Sequence, residues 1–479
     1  GTMAQYAQQF GPVMARKYDM GTQVATAVQQ GAAAFECVRV TDGTDVAASA
    51  LFNGTASSDC SLIATSLYTG TLANGDQMTL SAGAGTSYNV TVARPGVGGQ
   101  LYTGITGSGA TFWSNVVAAA NTGVGQLAGA SQYVRLAVGA GANASVSPSS
   151  LSLPMTITLG SGTGAVAGVD GVATITAAVL IGQDTLPRKG MYCLRSQGCS
   201  IGVLADADDS TQWTTQDAFG LQECIYMMLV APAGTVIANG STGAVDLKNT
   251  AGLNDYSAKL LHGDWIWWSD QTNNVVRLVS PQGFAAGRYS NLSPEQSGLN
   301  KQIYSIIASQ TSGVPGTGQG AQYATADLAL LAENGIDVIC NPQPGGSYWG
   351  LRIGHNSSTN AAINGDNYTR LTYYIATSLA AAMGVYVGQV INADLLLNIR
   401  SAQLSFLQNM LSQGLLGSVD GSVPFSVICD ITNNPQSRTA LGYVQSDAAV
   451  QYQGINEKFI CNVQGGTTVV VTTQVLPNA

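Results

Sequence analysis

Between residues 156 and 365 strand-like runs alternate with helical ones, among them "ITAAVLIG", "SIGVLADADD", "ECIYMMLVAP", "DWIWWSD", "VVRLVSP" and "GIDVICNP". Alternation of that kind calls for an α/β sheet. The flanking stretches read differently. Residues 47–155 are rich in Gly, Ser, Thr and Ala with short β-like runs such as "SYNVTVARPG" and "QYVRLAVG", the pattern of a β-rich module. Residues 1–46 combine a helix around Thr22 to Ala34 with a strand, Glu36 to Val40, closed by Asp42-Gly43. From 366 onward come two helical patterns, 366–387 and 392–413, then "FSVICDIT", "EKFICNV" and "TTVVVTTQV" as strands. The expected architecture is α+β and α/β, multidomain. A discontinuous α/β core (1–46 and 156–365) carries an inserted β-rich outer domain (47–155), and a C-terminal α+β domain (366–479) ends in an extended strand. No heptad array or fixed-period repeat interrupts this order.

Composition narrows the function. The chain is 45% hydrophobic but only 9% charged, against about 25% charged in an ordinary soluble domain. Depletion of charge marks the cores of permanent interfaces, so much of this surface is expected to lie against other copies of the chain; the alternative is a secreted Thr/Ser/Gly-rich β protein. A net charge of −9 and no basic stripe argue against nucleic acid. The start has no basic region followed by an apolar one, hence no signal peptide, and no initiator Met, so the natural chain is expected to begin upstream. The run from Tyr374 to Ile391 is uncharged and of membrane-spanning length. It contains Thr377, Ser378, Gln389 and two glycines, which suit a buried helix and no membrane span. The 8 cysteines are scattered without CxxC pairs, as in a protein made with reduced thiols in the cytoplasm.

Three stretches look like chemistry and fail on context. "GCSIG" (198–202) matches a nucleophile elbow at Ser200, but its strand follows the serine where a helix is needed, and only His262 and His355 could serve as base. "VRLAVGAGANA" (134–144) has dinucleotide-type glycines but no helix to receive a pyrophosphate. "DADDSTQWTTQD" (206–217) spaces Asp206, Asp208, Ser210 and Asp217 like a calcium loop, with Thr211 where glycine is needed. The reading is no enzyme, no catalytic residue, no cofactor and no metal.

Pattern continues where chemistry stops. Residues 275–305 read as a buried strand, an "SPQG" turn, a small-residue stretch and an amphipathic run. "GFAAGRYS" and "LNKQIYSI" resemble the segment of contractile tail sheath proteins in which a proline-glycine turn leads to small residues and then a helix. Other segments are similar to that family in the same order: "ECVRVTDGTDVAASA" (36–50), "GVDGVATITAAVLIGQDTLPRKGMYCL" (168–194), "SIGVLADADD", "ECIYMMLVAP", "NGIDVICNPQPGGSYWGLRI" (334–353), "YTRLTYYIATSLAAAM", "NIRSAQLSFLQNMLSQGLLGS" and the closing stretch from "FSVICDIT" to "EKFI". Asp337 stands where the family usually has Asn, Ile353 where it has Thr, and Leu371 where a second Arg is common.

The resemblance implies a structural subunit that stacks as hexameric rings around a tail tube and contracts to drive the tube through the host envelope. Implied partners are other copies of the chain, the tail tube protein, and the baseplate and tail terminator proteins, in a virion tail assembled in the host cytoplasm. One continuous chain favours a phage tail or phage-derived bacteriocin, and the family's N-terminal linking arm is missing ahead of Gly1. A second reading is a β-rich virion or cell-surface adhesin.

Two sets of site residues follow. Gly465 and Gly466 suit a hinge, and Thr467, Thr468, Val469, Val470, Val471, Thr472, Thr473, Gln474 and Val475 form an uncharged, mostly β-branched strand ahead of Pro477. Left bare it would aggregate; β-augmentation of a neighbouring subunit would cover it, the alternative being pairing beside 458–463 of its own chain. The helix near 392–413 has Leu395, Leu396, Ile399, Phe406, Leu407 and Met410 at helical spacing, and its polar edge, Asp394, Asn398, Arg400 and Gln403, is expected on the tube side.

Overall fold

The computed structural model describes residues 2–311, 322–459 and 463. The expected hinge at Gly465 and Gly466 and the strand 467–475 lie outside these residues. Two helices open the chain, α1 (Met3–Phe10) and α2 (Met20–Gln29). Asp19 caps α2, its Oδ2 accepting from Thr22 N at 2.8 Å.

The β-rich layer follows: β1 (Ala47–Phe52), β2 (Leu62–Thr69), β3 (Gln77–Ala82), β4 (Tyr88–Arg94), β5 (Gly98–Ile105), α3 (Gly109–Thr122), β6 (Val134–Val138) and β7 (Met155–Thr158). These strands build two antiparallel sheets, β1-β2-β6 and β5-β4-β3-β7. Alternation along each strand turns Phe52, Leu62, Met78 and Val90 into one core with Phe112 and Trp113 of α3. Because β7 pairs with β3 and Leu159 lies in this core, the layer runs past residue 155, where the sequence pattern ended it.

Chain entry and exit lie side by side. Val46 bridges Val169, and Asp42 N donates to Gly171 O at 2.9 Å. Arg39 ties the neck by donating to Thr69 O at 2.8 Å and Asp170 O at 2.9 Å. Glu36–Val40, expected as a strand, carries none; it is tied to the neck by the Arg39 side chain.

The central layer contains α4 (Ala177–Ile181), β8 (Ile201–Val203), α5 (Trp213–Glu223), β9 (Tyr226–Val230), α6 (Ala244–Ala251), β10 (Ala258–Leu261), β11 (Ile266–Asp270), β12 (Val275–Val279), α7 (Gln282–Ser290), β13 (Ala308–Ser309), α8 (Thr325–Glu333), β14 (Ile336–Asp337), β15 (Ile339–Cys340) and β16 (Gly350–Leu351). Its heart is a parallel sheet in the order β14-β10-β9-β8. A parallel sheet is covered on both faces, and β9 is buried at every position. Met227 and Leu229 join the core of α5, α6 and α8, while Tyr226, Met228 and Val230 join that of α2, α7 and β11.

The segment 275–305 departs from its sequence reading in two ways. β12 is not a buried strand, since Val275 and Val276 are 41% and 51% exposed. The small-residue stretch is itself the helix α7, and no helix forms over the run that follows it. Its glycines set its packing: a Cβ on Gly287 would stand 2.5 Å from Ala27 Cα, and one on Gly283 2.2 Å from Thr26 Oγ1. Glycine there lets α7 lie directly against α2.

The last layer holds α9 (Asp366–Met383), α10 (Ala393–Ser412), β17 (Phe425–Ile428) and β18 (Asp447–Val450), with β17 and β18 an antiparallel pair. Leu371, Ile375, Leu407, Met410 and Val427 form one small core, and Leu395, Leu396, Ile399 and Cys429 another. The run 374–391 is not a buried helix. α9 stops at Met383, and Val385, Val387 and Val390 are 69%, 84% and 81% exposed. Among the described residues no helix is long and apolar enough to cross a membrane.

Candidate functional site

The chemistry-bearing side chains that the fold gathers form a buried ionic cluster where the parallel sheet meets α9. Lys259, in the middle of β10, is fully buried, with its Nζ 2.6 Å from Asp337 Oδ2 and 2.9 Å from Asp366 Oδ1. It also donates to His355 O at 2.8 Å. Burial works against the ammonium charge, but Asp337 and Asp366 outweigh it and hold the Lys259 pKa above its ordinary value. Burial likewise works against the Asp366 carboxylate; Lys259, together with the Tyr289 and Tyr226 hydroxyls, outweighs it and holds its pKa below the usual range.

Each carboxylate oxygen of the cluster accepts at least one hydrogen bond. Asp366 is the first residue of α9, where the helix dipole favours an anion. Tyr226 OH donates to its Oδ1 at 2.7 Å, and Tyr289 OH donates to its Oδ2. Asp337 accepts from Ile353 N at 3.0 Å and Gly354 N at 2.9 Å, so its carboxylate is balanced by Lys259 and by a backbone turn. Arg370, one turn along α9, closes the C-terminal end of α7 by donating to Tyr289 O at 2.8 Å and Leu292 O at 2.5 Å. Satisfied this way, the cluster ties five elements, β9, β10, β14, α7 and α9, into one geometry; its ions present no exposed nucleophile or base.

The C-terminal tail leaves across this junction. Tyr452 OH lies 3.1 Å from Thr372 Oγ1, and Asn367 Nδ2 donates to Gln453 O at 3.0 Å. His355 Nε2 then meets Glu457 Oε1 at 2.9 Å.

The motif-like stretches disperse. Ser200 is exposed and precedes β8, without a preceding strand. Asp206 accepts from Gln23 Nε2 at 2.9 Å, Asp208 pairs with Lys17 at 2.9 Å, and Asp217 bonds Ser257 Oγ, so their carboxylates serve three different partners. Among the described residues no group of three or more His, Cys, Asp or Glu could hold a metal ion. His262 is buried, and burial pushes its pKa down to about 4. A cavity of about 830 Å³ opens between α2, α7, β8 and residues 34–40, lined by groups such as Val24, Ala27, Ile201 and Gly287.

On α10, Asp394, Asn398 and Arg400 are exposed, but Gln403 is not on that edge. It is 3% exposed, and its Nε2 donates to Ser446 Oγ at 2.6 Å. The signal was legible: Leu396, Ile399, Gln403, Leu407 and Met410 follow one helical stripe. Phe406, expected in the core, is only half-buried. The ionic cluster itself escaped the sequence reading, although a lysine inside the apolar run "AKLL" of so charge-poor a chain marks it.

No protein-family model matches the chain, and no curated protein matches it significantly. Among solved structures it is similar to a chain of the anti-feeding prophage baseplate, six-fold symmetrised, at 13% identity and a TM-score of 0.47 over 64% of this chain and 77% of that one. It is similar to a chain of the extracellular contractile injection system PVC sheath complex in its contracted state, at 15% identity and a TM-score of 0.44 over 56% and 71%. The helical sheath of the anti-feeding prophage in its contracted state gives 12% identity and a TM-score of 0.43 over 55% and 69%. The chain is thus similar, in its α+β multidomain fold and over more than half its length, to chains of contractile injection systems.

Proposed function

We propose that the chain is a non-enzymatic structural subunit of a contractile tail sheath, self-associating as stacked hexameric rings around a tail tube that contraction drives through an envelope. The observation that carries this reading is convergence. Segments that separately resemble sheath proteins each send a residue to the same buried cluster: Tyr226 from "ECIYMMLVAP", Tyr289 from "GFAAGRYS", Asp337 from "NGIDVIC" and Arg370 from "YTRLTYYIATSLAAAM". A core locked by such a cluster can keep one shape while links between subunits swing. The exposed valines after α9 and the charge-poor surface supply area for other copies, and the β-rich layer, joined by one neck, takes the outer position.

In this reading residues 467–475 pair with a sheet of a neighbouring copy, with Gly465 and Gly466 as the hinge. The β17-β18 sheet, which has no third strand among the described residues, is a suitable receiver. Asp394, Asn398 and Arg400 are the tube-side candidates. Negative-stain microscopy of the full chain and of a chain lacking 467–479 tests the reading. Helical tubes are expected from the first and a folded monomer from the second. Tubes from both would remove the linking role of the strand, and tubes from neither would remove the sheath reading.

A further inference from the structure

We propose that His355, as an imidazolium, latches the root of the C-terminal tail through Glu457, so that tail attachment is set by protonation. The geometry is that of a doubly donating ring. Nε2 faces Glu457 Oε1 at 2.9 Å and Nδ1 faces Ala332 O at 3.3 Å. A carboxylate and a carbonyl only accept, and a neutral imidazole has a single N–H to offer. Both contacts are satisfied together only when the ring carries its second proton.

The surroundings favour that proton. His355 is buried on α8 and the sheet: Glu457 and the Ala332 carbonyl face it, and Asp337 lies close behind. Its own carbonyl accepts from Lys259, which Asp337 and Asp366 already neutralise. Lys248 is engaged by the Asn334 and Ser357 carbonyls, and Glu333 and Lys458 are exposed. Burial alone would lower the ring's pKa; Glu457, Ala332 O and Asp337 outweigh it and raise it. Past Gln453, this pair is the tail's side-chain tie to the core among the described residues.

The sign follows. A raised folded-state pKa makes the latch fully present below the free imidazole value of about 6.5, and it is lost as pH rises through the higher folded value. Only the consequence, that the latch governs how freely the linking strand leaves the core, rests on the sheath reading; the latch is read on the single chain.

The test is hydrogen exchange of the full-length chain from pH 5.5 to 8.5, corrected for intrinsic rates, following peptides over 451–459. Glu457→Gln and His355→Gln serve as variants; Glu457 is surface-exposed, so its variant keeps the fold. The tail of the unaltered chain should exchange faster at the alkaline end than at the acid end, while Glu457→Gln exchanges fast and flat across the range. Matching profiles for the unaltered chain and Glu457→Gln overturn the latch, as does a pH response that survives Glu457→Gln. If His355→Gln unfolds, Glu457→Gln alone decides.

Discussion

The parallel sheet and the layer formed by α9, α10, β17 and β18 draw on the same charge-poor composition and use it in opposite ways. Around β9 and β10 apolar side chains are enclosed on both faces, and the ions among them are paired to the last hydrogen bond. Past α9 the apolar side chains divide between two small cores and open surface, with Val387 at 84% and Ile431 at 79% exposure. Among the described residues the first region encloses its apolar side chains, whereas the second leaves many of its own exposed, the pattern of an interaction surface.

Substitutions can break that contrast, starting with the largest effect. Lys259→Met leaves Asp337 and Asp366 buried without a cation, and a loss of about 3–5 kcal/mol is expected in urea unfolding. A cost under 1 kcal/mol would mean that the cluster is not closed in solution. Phe406→Ala should cost about 2 kcal/mol, less than the ~3–5 of a fully enclosed Phe, because its ring is half-buried against the core of Leu371, Ile375 and Leu407. Gly287→Ala puts a methyl 2.5 Å from Ala27 Cα. Overpacking of about 1–3 kcal/mol exceeds the helix-propensity gain of up to about 1, so thermal melts should show a net loss near 1 kcal/mol.

Titration separates the regions further. Burial pushes Asp206 and Asp217 up to about 6, so their contribution to stability is present at low pH and is lost as pH rises through that value. Asp366 has the opposite sign: its pKa is held low, and its contribution is lost as pH falls through that depressed value. Maximum stability is therefore expected on the acid side of neutrality, and Asp206→Asn should flatten the loss between pH 5 and 7 in a series of thermal melts. Smallest of all, Val387→Ser should stay within about 0.5 kcal/mol for the single chain while reducing self-association by light scattering; unchanged association would show that this corner faces water.

Much of the fold was legible locally. The strand-like run "ECIYMMLVAP" contains β9, and the stripe on 392–413 matched α10 to within a residue at each end. Failures came where a residue's fate depended on distant partners. Glu36–Val40 has strand character but crosses a neck held by Arg39, Thr69 and Asp170. Gln403 sits on the apolar stripe of α10, so its position was legible, but the partner that lets its amide stay inside, Ser446, was not.

The sequence by itself determined the alternation that builds a parallel sheet, the scarcity of charge and the order of the sheath-like segments, because periodicity and composition act over a few neighbouring residues. Only the tertiary structure decided that Lys259 meets Asp337 and Asp366, that α7 presses its glycines on α2, and that His355 holds Glu457. Those pairings join residues far apart in the chain, and their strength comes from exclusion of water, which no local pattern specifies until the layers close.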